Sequence, residues 1–257
     1  MTELTLRDTG GPGTPLLLLH AFPLNSAMWR GQSDGSLDRA RVLTVDLPGF
    51  GTSPAPQGEP SLDVWADALA ALLDRLELAQ AVIGGLSMGG YLAMAFARRH
   101  GERVSGLLLA DTKASTDAPA ALANRERIAA AVLARQSVAL LLEEQFDASL
   151  LGAEAGEQLT KEVRALIAAA TPAGVAWAQR AMAGRQAAFE TLAALGVPAA
   201  VVVGQDDRLT PVADAEELAD VLVDAELTVI PAAGHLAALE APAAFNAAVN
   251  ALLRRVG

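Results

Sequence analysis

The 257-residue chain contains no cysteine. Disulfide frameworks, thiolate nucleophiles and thiolate metal sites are excluded together. Histidine is scarce, at positions 20, 100 and 235 only, with no pair at the spacing of a helical metal motif, so no metal site is expected. Long apolar runs are missing too. The longest, around Pro15-Leu16-Leu17-Leu18-Leu19, falls far below the roughly 18 residues that span a bilayer. Turn and acidic residues precede it where a signal peptide would carry basic ones. Positive charge is also in deficit: the formal charge is −11, with the acids scattered, which argues against nucleic acid, anionic membranes and polyanionic substrates. The expectation is a soluble cytoplasmic protein, a monomer or small homo-oligomer, with neither nucleic acid nor membrane as partner.

What the chain does contain is alternation. Short apolar runs at Leu4 to Arg7, Leu16 to His20, Val42 to Asp46, Ala81 to Gly84, Gly106 to Ala110, Ala199 to Gly204 and Leu227 to Pro231 read as strands. Several are continuous Val/Leu/Ile, the pattern of strands buried on both faces of a parallel sheet. Amphipathic stretches lie between them, at Leu62 to Leu76, Met88 to Arg99, Val212 to Leu222 and Pro242 to Arg255. Strand–helix alternation implies right-handed crossovers and a mostly parallel, doubly wound α/β sheet. From Lys113 to Leu195 no strand signal appears, only Ala-rich helical pattern broken by Pro and Gly. A structureless loop of that length is improbable in a compact domain. The expected organisation is therefore a core of residues 1–112 and 196–257, with 113–195 as an all-helical cap inserted before the last core strands.

The chemistry-bearing stretch is "GGLSMGG", residues 84–90, directly after the run Ala81-Val82-Ile83. Gly85-Leu86-Ser87-Met88-Gly89 has the spacing G-x-S-x-G at a strand-to-helix turn, the context of a nucleophile elbow. Small neighbours two residues away let the turn fold on itself, and the following helix offers free N–H groups to a developing oxyanion. A phosphate loop is the rival reading, but Gly90-Tyr91 stands where Lys-Ser/Thr is needed.

A serine nucleophile needs a base, and the base an orienting carboxylate. His235 lies in "PAAGHLAALEAP", just past an expected strand. An acid is available in "VVVGQDDRLTP", also after a strand, and Asp111 in "LLLADT" follows another. Open α/β sheets bind ligands at these carboxyl ends.

The motifs "LLLLHAFPLNSAMW", "TVDLPGFGTS", "GGLSMGG", "VVVGQDDRLTP" and "AGHLAALEAP" occur in an order and spacing that resemble the α/β-hydrolase superfamily, in its small-esterase, enol-lactonase and non-haem haloperoxidase-like branch. The likeness runs over nearly the whole chain. The family pattern G-x-x-D-x-x-x-P, from Gly204 to Pro211, implies Asp207 as the acid, with Asp206 as a turn-capping neighbour and Asp111 as the alternative on the preceding strand. It also implies that His20 holds loop backbone, and that the amides of Phe22 and Met88 form the oxyanion hole. Ala21 stands where the family usually has glycine, which bears on the geometry of the first donor. His100 reads as a helix C-terminal residue and Asp46 as a loop-bracing carboxylate.

Trp29, Phe146, Trp177, Met182 and Phe189 read singly as core residues. Those in the insertion are expected as a group to line a pocket over Ser87. Together with Trp29 and Leu236 they make up the expected substrate-binding set. Arg180 and Arg185 read as solvated or paired, with binding of an anionic substrate as their alternative role. The resemblance implies a cofactor-free serine hydrolase acting on carboxylic esters or lactones of small molecules through an acyl-serine. Other readings on the same triad are perhydrolysis, carbon–carbon bond hydrolysis, or a small-molecule receptor without turnover.

Overall fold

The computed structural model describes residues 4–56, 58–144 and 146–256. Seven strands form one sheet: β1 (Thr5–Asp8), β2 (Thr14–Leu19), β3 (Ala40–Asp46), β4 (Ala81–Leu86), β5 (Val104–Ala110), β6 (Ala199–Gly204) and β7 (Ala225–Ile230). Their spatial order is β1-β3-β2-β4-β5-β6-β7, with β1 antiparallel to β3 and every other pairing parallel. All residues of β4 and β6 are buried, which is why these strands carry no polar alternation. At the edge, β7 exposes Leu227 and Val229 instead.

The helices are α1 (Arg30–Ser33), α2 (Leu62–Arg75), α3 (Met88–His100), α4 (Pro119–Arg135), α5 (Ala139–Glu143), α6 (Phe146–Leu150), α7 (Glu157–Ala168), α8 (Pro172–Ala183), α9 (Phe189–Ala194), α10 (Val212–Val221), α11 (Ala237–Glu240) and α12 (Pro242–Arg255). Helix α2 shows how the sequence dictates them. Ser61 caps its start by accepting from Asp63 N at 3.2 Å, and Leu62, Trp65, Ala66, Leu69 and Leu73 recur at helical spacing on its buried face. Helix α12 starts with Pro242 at its first turn and buries Phe245, Val249 and Leu252.

The chain leaves β2 for β3 on one side and returns to β4 on the other, so the switch point of the sheet lies between β2 and β4. Leu19 pairs with Gly85 there, which brings the loop after β2 beside the turn after β4.

Between β5 and β6 the described residues contain six helices and no strand, α4 to α9. Helix α4 packs along α8. Trp177 of α8 stacks on Trp65 of α2 with ring centroids 4.5 Å apart. Two tight seams tie this insertion to the rest of the fold. Gly174 meets Gly49 backbone to backbone, with Thr171 Oγ1 donating to Gly49 O at 2.8 Å. At the other seam Gly152 N donates to Glu240 Oε2 at 2.7 Å, while Glu240 Oε1 accepts from Gly234 N and Leu236 N at 3.0 and 3.2 Å. Among the described residues no helix is long and apolar enough to cross a membrane.

Candidate active site

Ser87 lies between β4 and the first residue of α3, with φ 56° and ψ −113°. This is a sparsely populated conformation for a residue with a side chain, and it is held in place by neighbours. Ser87 N donates to Ala110 O at 2.9 Å, and Thr112 Oγ1 donates to Ser87 O at 3.0 Å. The flanking glycines do not carry the positive φ themselves. They supply space: a Cβ on Gly85 would collide with the Gly89 backbone, and one on Gly89 with Leu19 O. The serine takes the strain, and bare backbone lets α3 start hard against β2 and β4.

His235 lies in the loop after β7, with its ring buried. Its Nε2 is 2.7 Å from Ser87 Oγ and its Nδ1 is 2.8 Å from Asp207 Oδ2. Asp207 also accepts from Leu209 N at 2.8 Å and Thr210 N at 3.1 Å on Oδ1, and from Thr210 Oγ1 at 2.7 Å on Oδ2. Burial alone would raise this carboxyl. The bond and charge of His235 and the Thr210 donors outweigh burial and hold its pKa below the usual carboxylate range. With Asp207 ionised, Nδ1 carries the proton and Nε2 is left to accept from the serine hydroxyl.

The other two acids are arranged differently. Asp206 is exposed, and its N–H donates to Ala233 O at 2.8 Å. The turn-capping role expected of Asp206 belongs to Asp207 itself, whose Oδ1 gathers the two loop amides. Asp111 is buried behind the site and accepts from Gly204 N at 2.8 Å and Ala237 N at 3.3 Å. Burial, with Asp207 nearby, pushes its pKa well up. It braces the two loops that carry Asp207 and His235 without touching the imidazole.

Phe22 follows β2, and Met88 is the first residue of α3. Among the described residues neither backbone N–H has an acceptor. Ala21 is not among the positive-φ residues, so alanine stands there without strain. Its N–H donates to Met28 Sδ at 3.2 Å. His20 is fully buried: Nδ1 bonds to Ala21 O at 2.9 Å and Nε2 accepts from Leu47 N at 3.0 Å. Asp46 accepts from Ser26 N and Thr52 N, both at 2.9 Å, and so braces the loops after β2 and β3. His100 pairs with Asp67 on the surface at the end of α3.

A cavity of about 270 Å³ opens above Ser87 and His235. Of the expected substrate-binding residues, Phe146 and Met182 line it, as does Phe22, whose ring meets that of Phe146 edge-on at 5.9 Å. Trp29, Trp177, Phe189 and Leu236 do not. Trp29 is fully buried against Phe245 of α12 at 6.0 Å, and Trp177 is turned onto Trp65. Phe189 packs on the core from α9, and Leu236 points into the core beside His235. Arg180 pairs with Glu126 on the surface, and Arg185 is buried on Asp117, so neither lines this cavity. Tyr91 and Thr210 also line the cavity and were not among the expected site residues. Both sit where a signal existed, one helical turn after Ser87 and three residues after Asp207. Lys113, Asp117, Arg125 and Gln179, also in the wall, gave no signal at all. Among the described residues no group of three or more His, Asp or Glu is placed to hold a metal ion.

Known proteins share this architecture along its length. The chain is 27% identical over 240 residues to 3-oxoadipate enol-lactonase 2 of Acinetobacter baylyi, covering 93% of this chain and 88% of that protein. It is 31% identical over 261 residues to 2-hydroxymuconate semialdehyde hydrolase of Pseudomonas sp. strain CF600, covering 96% and 89%. Among solved structures, a thermophilic esterase from Thermogutta terrifontis, malate bound, superposes with TM-score 0.94 at 39% identity, covering 99% of this chain and 94% of that one. Residues 14–242 match the family described by the alpha/beta hydrolase fold, and with that span the chain belongs to the α/β-hydrolase family.

Proposed function

We propose that the protein is a serine hydrolase that cleaves carboxylic esters or lactones of small molecules through an acyl-serine intermediate. One observation carries the reading: His235 bridges Ser87 Oγ and the Asp207 carboxylate at 2.7 and 2.8 Å. In this mechanism His235 Nε2 takes the hydroxyl proton as Ser87 Oγ attacks the carbonyl carbon. Asp207 keeps the Nδ1–H tautomer and offsets the imidazolium charge. The tetrahedral oxyanion accepts from the Phe22 and Met88 amides, which have no acceptor among the described residues and are therefore available. Collapse passes the proton from His235 to the departing alkoxide, or to the ring oxygen of a lactone. Water then enters, deprotonated by the same imidazole, and releases the acid.

The relatives named as enol-lactonase and esterase support this substrate class. A cavity of about 270 Å³ suits small acyl groups, since ligand pockets typically run from roughly 300 to 1,000 Å³. The test is hydrolysis of short p-nitrophenyl esters and simple lactones by the purified protein and by Ser87→Ala. The variant is expected to lose up to about 10⁶ in kcat. A fluorophosphonate should label Ser87 alone. Retention of more than a tenth of the rate by Ser87→Ala would rule out this nucleophile.

A further inference from the structure

The wall that the insertion contributes to this cavity is richer in charge than the chemistry at Ser87 requires. Asp117, its side chain 3% exposed, receives Arg125 Nε and Arg185 Nη1 on Oδ2 and Arg185 Nη2 on Oδ1. The remaining Arg185 contacts are also within the protein, to Ser115 O and Met182 O, with the guanidinium 4.1 Å above the Tyr91 ring. Arg125 differs. Its Nε is held by Asp117 and its Nη1 by Gln179 Oε1 at 2.9 Å, which fixes the plane of the group. Among the described residues Arg125 Nη2 has no acceptor, nor has Gln179 Nε2, and Lys113 Nζ has no carboxylate within 4 Å. All three residues line the cavity, and the one carboxylate in its wall, that of Asp117, is saturated by arginine.

The cavity wall thus offers several N–H donors and no free acid, alongside apolar Ile128, Phe146 and Leu150. These donors line a cavity that water reaches, so an incoming anion exchanges water for charge-assisted bonds, which are the stronger kind. A guanidinium pinned through Nε and Nη1 and open at Nη2 is pre-organised to donate to one oxygen of an anion, and the neighbouring Gln179 and Lys113 can serve the other. The effect is local, because the chain as a whole carries −11 and would repel an anion at long range.

We infer that Arg125, with Gln179 and Lys113 beside it, forms a carboxylate subsite, and that the preferred substrates are small esters or lactones bearing a free carboxylate away from the scissile bond. In what it says of substrates, this rests on the hydrolase reading of Ser87. The subsite itself does not.

The experiment pairs monomethyl glutarate with its neutral counterpart dimethyl glutarate, following acid release by pH-stat. A second arm measures binding of glutarate to Ser87→Ala protein by calorimetry. Wild type should favour the monoester in kcat/KM by at least about tenfold. Arg125→Met should lower the monoester-to-diester ratio by roughly 10- to 100-fold, the usual scale for deleting one charged hydrogen-bond partner. Lys113→Met should lower it less, and Arg125→Lys, which keeps the charge, should restore part of it. Glutarate should bind Ser87→Ala and fail to bind Ser87→Ala carrying Arg125→Met. Lys113→Met and Arg125→Lys decide the matter if Arg125→Met does not fold. Turnover of both esters without monoester preference, together with no glutarate binding, overturns the subsite and leaves the hydrolase reading standing. Arg125-dependent glutarate binding with no turnover of any ester overturns the hydrolase reading and leaves the subsite.

Discussion

His20 and His235 occupy the same edge of the sheet, each in a loop just past a strand, and both are buried. Their partners separate them. Both ring nitrogens of His20 face backbone, Ala21 O on one side and Leu47 N on the other, with the Phe50 ring edge-on at 5.2 Å. Burial pushes its pKa down to about 4, although the Ala21 carbonyl and nearby Asp46 pull the other way. A ring so placed is a neutral strut. His235 faces a carboxylate and a hydroxyl, so it can change protonation state with a partner ready on each side. Burial and position do not make a histidine a base. The presence of a movable proton on one nitrogen and a fixed charge on the other does.

The sharpest way to break this contrast is to exchange each ring for an amide. His235→Gln should lower ester hydrolysis by about 10⁴- to 10⁶-fold, whereas His20→Gln, which keeps one donor and one acceptor, should stay within about tenfold of wild type. Equal losses would erase the distinction. The acids beside the two rings form the next pair. Asp207→Asn should lower kcat by about 10⁴: the amide oxygen would stay on the Leu209 and Thr210 amides, and the NH2 facing Nδ1 would donate to it and hold the wrong tautomer. Asp46→Asn, whose carboxylate binds only loop amides and Thr52, should act on thermal stability and leave kcat near wild type. Asp206→Asn should change neither.

The strut predicts a pH signature of its own. Between about 4 and 6.5 the unfolded chain binds a proton at His20 that the folded protein refuses. Stability from this group is therefore fully present above 6.5 and is lost as pH falls through that window, at no more than about 1.4 kcal/mol per pH unit. Thermal melts across the window should show the decline, and His20→Gln should flatten it. An undiminished slope in the variant would mean that some other group titrates there. Smallest is the effect of Thr210, which donates to Asp207 Oδ2 and lies 3.3 Å from His235 Nδ1. Thr210→Val should lower kcat about tenfold, as expected for one bond to a charged acceptor, with KM near wild type in ester hydrolysis.

The central strands were legible because burial on both faces leaves no room for polar residues, and the glycine-bracketed serine because close backbone approach admits no alternative. The spacing from Gly204 to Pro211 separated Asp207 from Asp206 for a physical reason: one side chain turns into the loop and the other out of it. Strand ends were less legible. Gly85 and Leu86 read as turn, yet they pair with Leu109 and Ala110 as strand, since the sheet has to reach the serine. The pocket wall was hardly legible at all. Whether an aromatic on an Ala-rich helix faces a cavity or a neighbouring helix depends on how the helices sit together, and Trp177 and Phe146 differ in nothing the sequence records. Arg125 gave no signal for the same reason.

The two seams where glycine meets glycine have a bearing on how such a protein can be recombined. At Gly49, Gly174 and Gly234 the main chains come so close that a side chain would collide with backbone, and at Gly152 a Cβ would press on Glu240 and Gly234 N at 3.0 Å. Backbone cannot yield as a side-chain tip can. A helical segment grafted from a distant homologue between Asp111 and Ala199 must therefore present bare glycine against Gly49 and glycine or a very small residue beside Gly234, whatever else it changes. One that fills either joint would displace the loop holding Gly234, the neighbour of His235, before its own pocket residues came into play. Chimeras that preserve these four glycines and randomise the remainder should keep the Ser87–His235–Asp207 hydrogen bonds in register, and the joints, rather than the lining, set which grafts succeed.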